Sequence, residues 1–207
     1  MKLHEPATFW TDCGLAVWSA CLASLLVLRA TAPFPSALAW WVAAFATCAI
    51  AATAGAIHHG LGPGLSPRIN QSTWRLAILS LVGTGFCLTQ IAALNVFQGA
   101  TLTLAQFSAS IVTAILAAVA LRVEKFSVAI FAYGFGQILV LTSALLTREV
   151  QPPTRLPWLA AAVAASALAA GVQHFRLGPS RHFNHNDLYH VVQAIAQGAF
   201  YLAAATY

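Results

Sequence analysis

The residues of this chain that could do chemistry are gathered in three short stretches. The densest is RHFNHNDLYHVVQ, residues 181–193, which holds three histidines, two asparagines and an aspartate in a sequence with only 7% charged residues. At about 100° per residue, Asn186, His190, Gln193 and Gln197 share one narrow stripe of a helix, with Asp187 beside it and near His190. His185 and His190 stand about 140° apart on a regular helix, so they do not face one centre together. His185 turns inward only if the helix begins at Asn186 or Asp187, both good N-cap residues.

The second stretch is GAIHHG, residues 55–60. Adjacent helical side chains diverge by about 100°, so one of His58 and His59 faces inward. Gly55 and Ala52 lie four and seven residues before His59 and give that side a smooth surface, which favours His59. In the third stretch, Glu5 and Asp12 are seven residues apart and share a face, with Thr8 between them. Asp12 then sits roughly 10 Å deeper than Glu5. A carboxylate at that depth of an apolar segment is a candidate functional group.

Two or three imidazoles and a carboxylate form a catalytic zinc set when a fourth position is open to water. The candidate metal ligands are His58, His59, His185 and His190, and the candidate acid–base residues are Asp12, Asp187 and Glu5. Zinc would acidify a bound water and polarise a carbonyl, a nearby Asp would act as general base and then acid, and the other carboxylates would orient the ligands. The same residue types also have structural readings. Gln193 and Gln197 suit hydrogen bonds between helices, His4 and His182 suit an interface or loop, and His174 suits a helix end.

The elements that position these groups follow from composition. Apolar residues make up 59% of the 207, and mean hydropathy is +0.76. A soluble domain is about half apolar and a quarter charged. Crossing a bilayer takes about 20 apolar residues, and seven runs reach that length: 7–28, 37–58, 74–94, 102–121, 126–147, 156–174 and 187–206. The expectation is an all-α, polytopic seven-helix bundle forming one membrane domain. Breakers mark the connections at 31–36, 60–72, 148–155 and 176–186. The link LNVFQGATL, 94–102, carries no charge; if it were a bend in one element, the spans would number six.

Lys2, Arg68, Arg75, Arg122, Lys125, Arg176 and Arg181 fall on one side of this topology, and Arg29, Arg148 and Arg155 on the other. That bias places the N-terminus inside. All seven histidines then lie at the inner face, together with Glu5, Asp12, Glu124 and Asp187. The net charge of +5 is therefore a topology signal, and so few scattered basic residues leave no nucleic-acid footprint. Cys13, Cys21, Cys48 and Cys87 are isolated within spans, which argues against a disulfide framework or a zinc ribbon.

An acidic start to the first span, His at the end of the second and a His-rich start to the seventh resemble the CREST superfamily, which includes the alkaline ceramidases and the progestin and adipoQ receptors. The resemblance implies a zinc-dependent membrane hydrolase with one His ligand from the second span and two from the last. Where that superfamily has HxxxH, this chain has Asn186 and His190. Where it has SxxxH, Ala54 or Gly55 takes the Ser position, and no acid stands in 74–94 for its third-span Asp. FNHNDLYHVVQ also resembles a signature of bacterial membrane proteins of about this length, which implies the inner membrane of a bacterium.

These features give as a first expectation a zinc hydrolase that cleaves an amide or ester bond of a lipid-like substrate at the cytoplasmic leaflet. The alternatives are a non-catalytic subunit of a larger membrane complex, and a subunit that binds haem or a chlorin through single histidines such as His174 and His190. Small-residue runs such as LAAAVAASALAAG, 159–171, fit tight helix packing in a complex.

Overall fold

The computed structural model describes residues 3–30, 36–180 and 182–207. The connection at 31–35, and Lys2 and Arg181 of the charge count, lie outside the described residues. The described chain is all-helical, with seven long α-helices: α1 (Pro6–Arg29), α2 (Ser36–Ala56), α3 (Pro67–Val96), α4 (Gly99–Val123), α5 (Phe126–Leu146), α6 (Arg155–His174) and α7 (His185–Ala204). Six of them, α1 to α6, are long and apolar enough to cross a membrane. The seventh has 20 residues but less apolarity, because Asn186, Asp187, His190, Gln193 and Gln197 all stand in it.

The helix ends follow local chemistry. α3 starts at Pro67, seven residues before the expected span. Ser66 caps it, accepting from the Ile69 N–H at 3.4 Å. Proline at the first helical position is a starter, since its missing N–H needs no partner there, so Pro67 opens the helix and does not break the 60–72 connection. Phe97 and Gln98 are extended and Gly99 has φ +55°, so 94–102 separates two helices. α2 does not stop at His58. It continues through a π-helical turn, Ile57–Leu61, and a 3-10 turn, Gly62–Gly64.

Six helices form a closed ring in which α1 packs on α2, α2 on α3, α3 on α5, α5 on α6, α6 on α7, and α7 on α1. α4 lies outside the ring against α3 and α5. There Leu104, Phe107 and Ile115 are more than half exposed, as expected of a lipid-facing helix. α3 and α5 approach closely at Gly85 and Gly136. A Cβ on Gly136 would lie 2.5 Å from the Gly85 carbonyl oxygen and 3.0 Å from Leu88 Cβ, so only glycine fits. The apolar core, including Leu22, Leu26, Trp41, Ile78 and Ile91, lies away from the polar ends.

Candidate functional site

Glu5, Asp12, His58, His59, Asp187 and His190 collect where α1 and α7 begin and α2 ends. The His4 N–H donates to the Gly60 carbonyl at 3.0 Å, joining the start of α1 to the turn after α2. Gln173 Nε2 donates to Asn186 Oδ1 at 3.0 Å, joining the end of α6 to the start of α7. Between these seams lies a cavity of about 150 Å³, lined from every helix except α4.

Asp12 and His190 form the centre of that cavity wall. Asp12 is 3% and His190 8% exposed, and Asp12 Oδ1 lies 3.1 Å from His190 Nε2. Asp12 Oδ2 is buried without a hydrogen-bond partner. Gly55 makes room for the carboxylate: a Cβ there would stand 3.0 and 3.1 Å from its two oxygens. The other imidazole nitrogen, Nδ1, is 3.0 Å from Thr11 Oγ1, which in turn reaches Thr8 O at 3.1 Å and Asp187 Oδ1 at 3.4 Å.

This chain has two proton arrangements. If Thr11 donates to Nδ1, His190 donates through Nε2 to an ionised Asp12. If Thr11 donates to Thr8 O or Asp187, it accepts from Nδ1–H, and Asp12 then carries the proton shared with Nε2. The two arrangements differ by one proton: Asp12 is ionised in the first and protonated in the second, with a neutral imidazole in both.

Asp187 is fully buried but stands behind this pair. Its Oδ2 accepts from the Asn184 N–H at 2.6 Å, while Asn184 Oδ1 accepts from the Asn186 N–H at 2.7 Å. The two residues form a capping box, so the N-cap of α7 is Asn184 rather than Asn186 or Asp187. His185 is the first helical residue and does not line the cavity. Position 186 brings a carboxamide to the cavity wall instead.

Of the paired histidines, His59 lines the cavity, and its Nδ1 lies 3.5 Å from Glu5 Oε2. His58 turns away, with Nδ1 2.8 Å from Asn70 Oδ1 and its ring stacked on Trp74 at 4.8 Å. The π-helical turn rotates this pair relative to α2, a device often found at functional sites. His4, His174 and His182 are exposed. Deeper in the bundle, Gln193 Nε2 donates to Tyr133 Oη at 2.7 Å and Gln197 Oε1 accepts from Ser19 at 2.7 Å.

A three-ligand zinc site needs three donors around one point. Among the described residues no group of three His, Cys, Asp or Glu is placed to hold a metal ion. Asp12 and His190 supply two donors, His59 is engaged with Glu5, His58 with Asn70, and His185 is off the cavity. As placed, these residues do not fit a resident zinc of that kind.

The model of a family of unknown function, DUF6962, matches residues 7–207. The chain belongs to the DUF6962 family. No curated protein and no solved structure matches it. The matched segment contains Asp12, Gly55, His59 and His190 and every helix of the ring except the first residue of α1.

Several site residues carry no recognisable signal in the sequence. Thr11 is an ordinary helical threonine, and Trp74, Phe126, Tyr133 and Tyr189 are aromatics with no motif around them that marks a shared site. Only the closed ring brings the four aromatics to one cavity, with Thr11 against His190 behind it.

Proposed function

We propose that this DUF6962 protein is a seven-span membrane hydrolase that cleaves an ester or amide bond of a lipid-like substrate with the buried Asp12–His190 pair. The observation that carries the reading is that pair, 3.1 Å apart on the wall of a cavity inside the bundle. A lone buried carboxylate is costly unless it is paired or used.

Asp12 Oδ2, which has no partner, takes a proton from a water in the cavity. The water oxygen attacks the substrate carbonyl carbon. Asp12 Oδ2 then returns that proton to the leaving oxygen or nitrogen as the C–O or C–N bond breaks, while His190 donates through Nε2 to Oδ1 and holds the carboxyl in place. Thr11 and Asp187 fix the imidazole from behind. Asn186 and Gln197 accept through their carbonyl oxygens from Gln173 and Ser19, which leaves amide N–H groups on the cavity wall to meet the developing oxyanion.

In this reading α7 spans with the other six helices, its polar stripe turned into the ring, and the N-terminus faces the cytoplasm by the positive-inside bias. The resemblance to bacterial membrane proteins supports an inner-membrane location. No step is routed through zinc.

The test is turnover of a panel of ester- and amide-linked lipids by purified chain in nanodiscs. Turnover lost in both Asp12→Asn and His190→Gln is expected. Unchanged turnover in Asp12→Asn would sink the mechanism. A folded chain that turns over nothing but co-purifies with fixed partners would favour the non-catalytic subunit instead.

A further inference from the structure

The cavity wall has a second property that hydrolysis does not require. His59, Trp74, Phe126, Tyr189 and His190 all line it, and their rings touch in sequence. Ring centroids are 6.4 Å apart for His59–Trp74, 5.8 Å for Trp74–Phe126, 5.9 Å for Phe126–Tyr189 and 5.5 Å for Tyr189–His190. These contacts make a continuous aromatic collar across α3, α5, α7 and the turn after α2. A carboxylate stands at each end, Glu5 beside His59 and Asp12 beside His190.

Asp12 Oδ2 is buried and unpartnered, and among the described residues no Lys or Arg lines the cavity. A buried carboxylate oxygen in such a place takes a cation or a proton. Hard metal cations want six or more oxygen ligands, whereas this wall offers ring faces, amides and one carboxylate. Ring faces attract organic cations, and aromatic cages bind alkylammonium groups this way. Part of the remaining lining, including Leu15, Ala51 and Leu81, is apolar and suits a hydrocarbon tail.

We infer that the cavity binds the ammonium headgroup of an amphiphile, the nitrogen within the aromatic collar and against Asp12. This rests on the cavity being the ligand site of the reading above and adds the charge and chemical class of the ligand.

The experiment is calorimetric titration of the purified chain, in neutral detergent, with decyltrimethylammonium and with its uncharged isostere in which carbon replaces nitrogen. The cation is expected to bind at least about tenfold tighter, the range of a desolvated cation–π contact with a carboxylate behind it. Asp12→Asn should bring the cation down to the level of the isostere. Trp74→Leu, which removes one ring and no charge, should weaken the cation several-fold and leave the isostere nearly unchanged. Size-exclusion profiles check that each variant folds, and the comparison of the two probes on the unaltered chain decides without any variant. Equal binding of cation and isostere overturns the inference, because Asp12 then carries only a proton. Tight cation binding with no lipid turnover would retain this inference and remove the hydrolase. Turnover of neutral lipids with no cation preference would do the reverse.

Discussion

Gly55→Ala is the sharpest test of how the pair is held. The added Cβ would lie 3.0 Å from Asp12 Oδ1, 3.1 Å from Oδ2 and 3.3 Å from Cγ. The carboxylate must give way by a few tenths of an ångström. Its 3.1 Å contact with His190 Nε2 is already near the long end for such a bond, so a shift of that size breaks it. A hydrogen bond involving a charged group contributes about 1.5–3 kcal/mol. Alanine in place of glycine inside a helix returns about 0.5–1 kcal/mol. The loss wins, and the variant should be destabilised by about 1–2 kcal/mol, or about 2–8 °C in melting temperature for a chain of this size. In an Asp12→Ala background the clash disappears and only the helix term remains, so the same substitution should stabilise. The assay is thermal unfolding in detergent of the four members of the cycle. Equal effects of Gly55→Ala in the two backgrounds would refute the placement of Asp12 against Gly55.

Three further outcomes are expected. Tyr133→Phe removes the nearer acceptor of Gln193 Nε2, at 2.7 Å, and leaves only Ser166 Oγ at 3.5 Å; it should cost about 1 kcal/mol of stability, and adding Gln193→Leu should restore part of it. The Arg75 guanidinium, and then the Gln71 amide, hold the Glu124 carboxyl below its ordinary pKa. That clamp stabilises the fold above the ordinary value and is lost as pH falls through the lowered one. The gap in melting temperature between the unaltered chain and Glu124→Gln should therefore be open at neutral pH and close below about pH 4; a gap that widens in acid would contradict the clamp. Finally, elemental analysis of purified protein should find zinc well below one per chain, since only two donors converge. One zinc per chain, lost in His59→Ala and His190→Ala, would show that His59 leaves Glu5 to complete a site.

Much of the frame was legible in the sequence. Runs of about 20 apolar residues leave the backbone one economical choice, a helix, so the seven helices fall where the runs do. The ends were less legible wherever a residue has two roles. Pro67 opens α3 instead of interrupting a connection, and Asn184 caps α7 although Asn186 and Asp187 have the same chemistry. A cap is decided by which N–H groups lack partners, and that depends on where the helix starts.

The inward stripe of α7 was also legible, because helical periodicity fixes which side chains share a face. His190, Gln193 and Gln197 are all buried. What periodicity does not fix is the facing partner. Glu5, Asp12, His58, His59, His185, Asp187 and His190 were all candidates by type and level, yet Asp12 meets His190, Glu5 meets His59, His58 meets Asn70, and Asp187 caps its own helix.

The sequence by itself determined that this protein is a bundle of apolar helices with its histidines and most of its carboxylates near the same helix ends, because hydropathy and helical period are local properties. Only the tertiary structure decided which groups form the pair, that Gly55 makes room for it, and that five rings from four segments line up beside it. Those contacts are set by how six helices close a ring, and neighbours across a ring are not neighbours in the chain.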